Sequence, residues 1–226
     1  VAAIIIKAPE APTAGASKTA AADDNTHHYT SAEMMKTSRF WIFFLWAIAL
    51  NSAGLMVINS AANISVAYGG SAVLGMIVSL FNGAGRIVAG NNFDRFGRKT
   101  SSIVNNIFMI IAGALLIAGG VSHSLILVVI GLIFVGLSYG GTPTITSAYV
   151  NKAFGAKYFA TNFSIANFSL IPAAIIGPII SAKLLEAAGG KYDSNFRALI
   201  VFTLVALALW IGLNIASKKS DNEDYK

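Results

Sequence analysis

No cysteine occurs among the 226 residues, which excludes a disulfide framework and any thiolate metal centre. Charge is also scarce. Asp, Glu, Lys and Arg make up 12% of the chain, against about 25% in a typical soluble domain. With 55% hydrophobic residues and a mean hydropathy of +0.67, that scarcity implies a stack of membrane-spanning helices. The ten acidic residues all fall outside the long apolar runs, so no buried acid–base pair can form within them. There is no Ser/His/Asp set, no HExxH and no Walker A loop, and "GGSAVLG" lacks the Lys-Ser/Thr that would make it a phosphate loop. Two of the three histidines, His27 and His28, are adjacent, and His123 is far off, which is not a metal-ligand spacing. These absences argue against an enzyme, a metal and a cofactor. The net charge of +6 is split into short clusters between apolar stretches, a pattern of membrane topology and not of nucleic-acid binding.

What is present is a series of six apolar runs, each near the ~20 residues that cross a bilayer as a helix. They cover Phe40 to Ala62, Ser71 to Asn91, Ser101 to Val121, Leu125 to Tyr149, Phe159 to Leu184 and Arg197 to Ala216. The fourth carries Pro143, and the fifth carries Pro172 and the pair Gly177-Pro178. Backbone groups in hydrocarbon must be satisfied internally, and the alternating ten-residue segments of a barrel are absent, so these runs are expected to be helices. Before them, residues 7–38 are rich in Ala, Thr, Ser and Pro and read as a flexible linker. "VAAIII" at 1–6 reads as the end of a preceding membrane helix, which makes the chain a piece of something longer. Residues 39–217 form the expected membrane domain and 218–226 a polar tail. Gly136 and Gly140 make a small-xxx-small face in the fourth run, and Gly83 and Gly90 bracket another in the second.

Twelve of the sixteen basic residues lie on the linker side: Lys7, Lys18, Lys36, Arg39, Arg95, Arg98, Lys99, Lys152, Lys157, Lys218, Lys219 and Lys226. The opposite side holds Lys183, Lys191 and Arg197. By the positive-inside rule both ends of this chain are cytoplasmic. The remaining cation, Arg86, sits inside the second run. A guanidinium at that depth faces a cavity or a partner, and its fork matches a carboxylate. Three readings stand: contact with an anionic ligand, snorkelling to the cytoplasmic surface, or pairing with a carboxylate outside this chain. Asn82 lies one turn earlier on the same face. Asn51, Asn59 and Asn63 on the first run or at its end, Tyr139 on the fourth and Asn167 on the fifth each fit a pathway lining or interhelical glue.

Between the second and third runs stands "GNNFDRFGRKT". It resembles the signature loop of the major facilitator superfamily, filled here by Gly90, Asp94, Arg95, Gly97, Arg98 and Lys99. Asn92 stands where that family usually has an apolar residue. The resemblance implies an all-α membrane protein, a six-helix bundle forming helices seven to twelve of a twelve-helix fold. Further stretches, "RFWIFFLWAIALNSAGL", "FNGAGRIVAGNNFDRFGRK" and "AFGAKYFATNFSIANFSLIPAAIIGPIISAKLLEAAGG", resemble the oxalate/formate antiporter family over about residues 39–216. In that family an arginine similar to Arg86 faces a carboxylate, and a lysine in the eleventh helix provides a second cation. The matching position here is near Leu170, and no lysine occurs between Lys157 and Lys183. The resemblance therefore implies secondary transport of a small organic anion, a monocarboxylate in preference to oxalate, by alternating access. The partners it implies are the plasma-membrane bilayer and an N-terminal six-helix half, with no nucleic acid. The motif would be a cytoplasmic latch. Asp94 would accept from N–H groups at the helix start near Phe159, and Arg95, Arg98 and Lys99 would reach carboxylates or anionic lipid heads. A membrane protein kept for interaction without transport is the alternative reading.

Overall fold

The computed structural model describes residues 27–223, with side-chain surroundings to residue 215. The expected helix end at 1–6, the linker up to residue 26 and the tail side chains lie outside the described residues. Every regular element among the described residues is a helix: α1 Ser31–Lys36, α2 Ser38–Ile58, α3 Ala61–Ala67, α4 Ala72–Gly75, α5 Ile77–Ser122, α6 Leu125–Phe154, α7 Phe159–Asn167, α8 Leu170–Ala187 and α9 Asp193–Glu223. By length and composition five helical stretches could cross a membrane: Ser38–Ile58, Ala72–Ser122, Leu125–Phe154, Phe159–Ala187 and Asp193–Ile215. The six apolar runs are thus carried on five helices.

The difference lies in α5. A straight helix of its 46 residues would be about 69 Å long, more than twice a ~30 Å hydrocarbon core. It is not straight, because Gly97 breaks it at φ 73°, ψ −179°, a backbone region essentially closed to other residues. The Ser101 hydroxyl donates to the Ala89 carbonyl at 3.2 Å. Those residues would be about 18 Å apart on an unbroken helix. The chain therefore doubles back at Gly97, and the two arms, 77–96 and 98–122, lie side by side.

Proline explains the break in the fifth run. Pro172 has no N–H to give to the Phe168 carbonyl, and the helix is interrupted at Phe168 and Ser169 between α7 and α8. Pro143 stays inside α6 and deprives the Tyr139 carbonyl of its helical partner in the same way.

Small residues set the helix spacing. A Cβ on Gly136 would meet the Val78 carbonyl, and one on Gly140 the Asn82 carbonyl, so α6 packs backbone to backbone on the first arm of α5. Gly85 does the same against the Leu137 carbonyl. The expected face of Gly83 and Gly90 is not the contact: nothing approaches a Cβ at Gly83, and at Gly90 only Thr144 does, at an ordinary 3.6 Å. The face that meets α6 is offset by two residues from Gly83. Gly177 brings α8 onto the Ser52 carbonyl of α2. Interhelical hydrogen bonds add to this packing. Ser138 donates to the Asn105 carbonyl at 2.8 Å, Asn105 to the Thr142 hydroxyl at 3.1 Å, and Ser181 to the Met56 carbonyl at 3.1 Å. In lipid such packing and hydrogen bonds replace the hydrophobic effect as the glue between helices.

The residues before α2 are not a featureless linker. Thr30 and Glu33 form a capping box at the start of α1, with the Thr30 amide donating to the Glu33 carboxylate at 2.8 Å. The Tyr29 amide donates to the Phe154 carbonyl at 3.0 Å. Asn162 donates to the Tyr29 carbonyl at 2.9 Å and accepts from the Ser31 hydroxyl at 2.8 Å. The segment is thereby fastened to the junction of α6 and α7. Composition averaged over 7–38 does not reveal α1, because its caps are local.

Candidate functional site

The first arm of α5 presents Arg86, Gly90 and Asp94 at four-residue spacing, hence along one helix face. These three line a single cavity of ≈ 460 Å³ together with Phe93, with Pro143, Thr144, Ser147, Ala148 and Asn151 of α6, and with Phe163 of α7. Arg86 stands near the middle of the 77–96 arm, about 14 Å of helix from its start and about 16 Å from Gly97. Asp94 is eight residues further, about 12 Å along the axis, and is the one carboxylate in the lining. The lining thus carries one cation and one anion, Arg86 and Asp94, both of them exposed. Hydroxyl and amide groups of Thr144, Ser147 and Asn151 form the wall between them, and Phe93 and Phe163 supply apolar faces. Gly90 leaves this wall open between the two charges.

The remaining predicted residues divide. Tyr139 packs its ring on Gly54 of α2, where a Cβ would come within 2.6 Å of the ring, and its hydroxyl is within electrostatic reach of Arg86. Asn82 is outside the cavity lining, since its backbone is pressed against Gly140 at the helix crossing. Asn51 is buried, with an exposure of 2%, and its Oδ1 has no hydrogen-bond partner. Asn167 ends α7, half-buried, and Asn59 and Asn63 are exposed; none of these five asparagines lines the cavity. Sequence reasoning missed Thr144, Ser147, Asn151 and Phe163. The hydrophilic spacing 144–147–151 on one face of an apolar run was the available signal for the first three.

The motif also divides. Arg95 and Lys99 are exposed, as a topological charge would be. Arg98 is not: its guanidinium lies 5.5 Å from the centre of the Tyr149 ring and 5.9 Å from that of Trp210. Tyr149 in turn stacks on Phe43 at 4.0 Å, and Trp210 meets Trp46 at 5.7 Å. At the start of α7 the Phe159 amide donates to the Ala156 carbonyl and the Asn162 amide to the Tyr158 carbonyl, and Asp94 shares its cavity with Asn151 and Phe163.

The basic motif from Gly90 to Lys99 thus spans the place where α5 doubles back at Gly97. No curated protein sequence matches the chain. The family model of the Major Facilitator Superfamily matches residues 9–224, nearly the whole length, and the chain belongs to that superfamily of membrane transporters.

Proposed function

We propose that this chain is the half comprising helices seven to twelve of a twelve-span secondary transporter, and that it moves a small organic anion, a carboxylate, by alternating access. In this reading the two arms of α5 are separate crossings, the Gly97 end is cytoplasmic and the protein resides in the plasma membrane as an exchanger or a proton-coupled symporter. One observation carries the substrate class. Arg86 lines a cavity of mixed polar and apolar surface at mid-arm, and the only carboxylate in that lining, Asp94, is two turns away. A guanidinium so placed attracts an anion of one carboxylate's size and can hold it by two parallel hydrogen bonds. The hydroxyl and amide wall offers the further contacts that orient a small polar substrate. The reading disfavours oxalate, because the α7–α8 stretch brings no second cation to the site.

Counterflow by the complete transporter in liposomes, with a panel of labelled mono- and dicarboxylates, tests this. Exchange should be fastest with a monocarboxylate, and Arg86→Gln should lower it at least about tenfold with insertion unchanged. Undiminished exchange in the variant would take Arg86 out of the site.

A further inference from the structure

At the far end of the second α5 arm from Gly97 lies another cavity, of ≈ 410 Å³, lined by Tyr68, His123, Lys191, Tyr192, Asp193 and Arg197 among others. Gly120, which also lines it, is 23 residues beyond Gly97, about 35 Å of helix, so this cavity and the Arg86 site are well separated.

Three features mark it as more than an accident of loops. First, cations are rare at this end. Of Lys183, Lys191 and Arg197, two converge on this one cavity, and the third histidine of the chain joins them. With Asp193 as the one carboxylate in the lining, the formal charge is +2 − 1 = +1 with His123 neutral and +2 with it charged. Second, Gly120 lets polar groups close in on the floor. A Cβ on Gly120 would stand 2.8 Å from the Asp193 carboxylate and 3.3 Å from the Tyr68 hydroxyl. Third, the donors are kept as donors. Burial, and then the nearby Asp193, hold the Tyr68 hydroxyl above the usual phenol range, and burial does the same for Tyr192. An ordinary phenol already keeps its O–H at neutral pH, so both hydroxyls can donate. The N-terminus of α9, at Asp193, adds the positive end of a long helix.

We propose that this cavity binds an oxyanion, a phosphate or carboxylate group, between Lys191 and Arg197, with His123 and the two tyrosine hydroxyls as further donors. Arg197 supplies a planar fork for two oxygens, and Lys191 a mobile point charge that closes over the third. The oxyanion can be a free solute or the headgroup phosphate of a lipid, since both present the same oxygens.

The test is scintillation-proximity binding of radiolabelled inorganic phosphate to purified residues 1–226 in detergent. Saturable binding of one phosphate per chain is expected. Arg197→Gln and Lys191→Gln should each weaken it about tenfold, and Arg197→Lys by less. Arg86→Gln should leave it unchanged, which separates this site from the proposed substrate site. Displacement by phosphatidylglycerol but not phosphatidylcholine would assign the oxyanion to a lipid headgroup, and no displacement would assign it to a free solute; either result supports the site. Circular dichroism confirms that each variant keeps its helices, and exposed Lys191 carries the test should Arg197→Gln fail to fold. No saturable phosphate binding, or binding equal in wild type and both glutamine variants, would overturn the proposal.

Discussion

Arg98 lies over the face of Tyr149, its guanidinium carbon 5.5 Å from the ring centre, and 5.9 Å from the ring centre of Trp210. A basic residue that topology alone would leave in water is thus built into the aromatic end of the bundle. It ties the fold-back of α5 to both α6 and α9. Such contacts contribute about 0.5–2 kcal/mol each. Arg98→Ala should therefore lower the thermal unfolding midpoint of the purified protein by several degrees. Arg98→Lys should restore only part of the loss, because an ammonium does not stack, and Arg95→Ala should change nothing. Fluorescence-monitored melting in one detergent compares all three.

Gly97 and Gly90 should respond in opposite ways. An alanine at 97 cannot adopt φ 73°, ψ −179° without about 1–3 kcal/mol of strain, although no atom stands within 4 Å of its Cβ. Gly97→Ala should cut the yield of folded protein in size-exclusion chromatography. Gly90→Ala places its methyl 3.6 Å from Thr144 and should fold normally. It narrows the Arg86 cavity, and its effect should appear in transport by the complete protein.

The α5–α6 crossing offers a third contrast. At Gly140 a methyl group would meet the Asn82 carbonyl, so Gly140→Ala forces two backbones apart and should cost about 1–3 kcal/mol. Gly83→Ala meets nothing and replaces a poor helix former, so it should be neutral or stabilising by up to about 1 kcal/mol. Unfolding midpoints in a denaturing detergent titration would rank them. Equal midpoints would show that the crossing is not held by these glycines.

The fastening of residues 29–36 should be visible by hydrogen exchange. Asn162→Ala removes the bonds to the Tyr29 carbonyl and the Ser31 hydroxyl together, and should speed exchange of the Tyr29 amide, which is bound to Phe154. Acid should act on the neighbouring cap. Hydrogen bonds from the Thr30 backbone and then its hydroxyl hold the Glu33 carboxyl below its usual range. A folded pKa below the unfolded one means that this contribution is present above the unfolded value and is lost as the pH falls through the folded one. Protection of α1 should therefore drop as the pH is lowered through and below the ordinary glutamate range, and Glu33→Ala should remove that dependence.

Which features were legible follows the range of the signal. The apolar runs were readable because bilayer thickness imposes ~20 residues on any helix that crosses, and the motif because its glycine and charge spacing is local. Arg86 stood out because a charge inside an apolar run needs a reason, but its spacing alone left three readings open. The aromatic seat of Arg98 was not, because Tyr149 and Trp210 reach it from helices distant in sequence. Asn105, Ser138 and Thr142 escaped notice as glue for the same reason, while Asn82, picked for its spacing from Arg86, is held at the helix crossing. The capping box at Thr30 and Glu33 was open to a local reading and was hidden only by the composition around it.

The fastening at Tyr29 has a consequence for the cavity. Tyr29 is held by the Phe154 carbonyl and by Asn162, where α6 gives way to α7. Those two helices carry the residues that line the Arg86 cavity together with α5. Residues 29–36 therefore share their anchorage with the cavity wall.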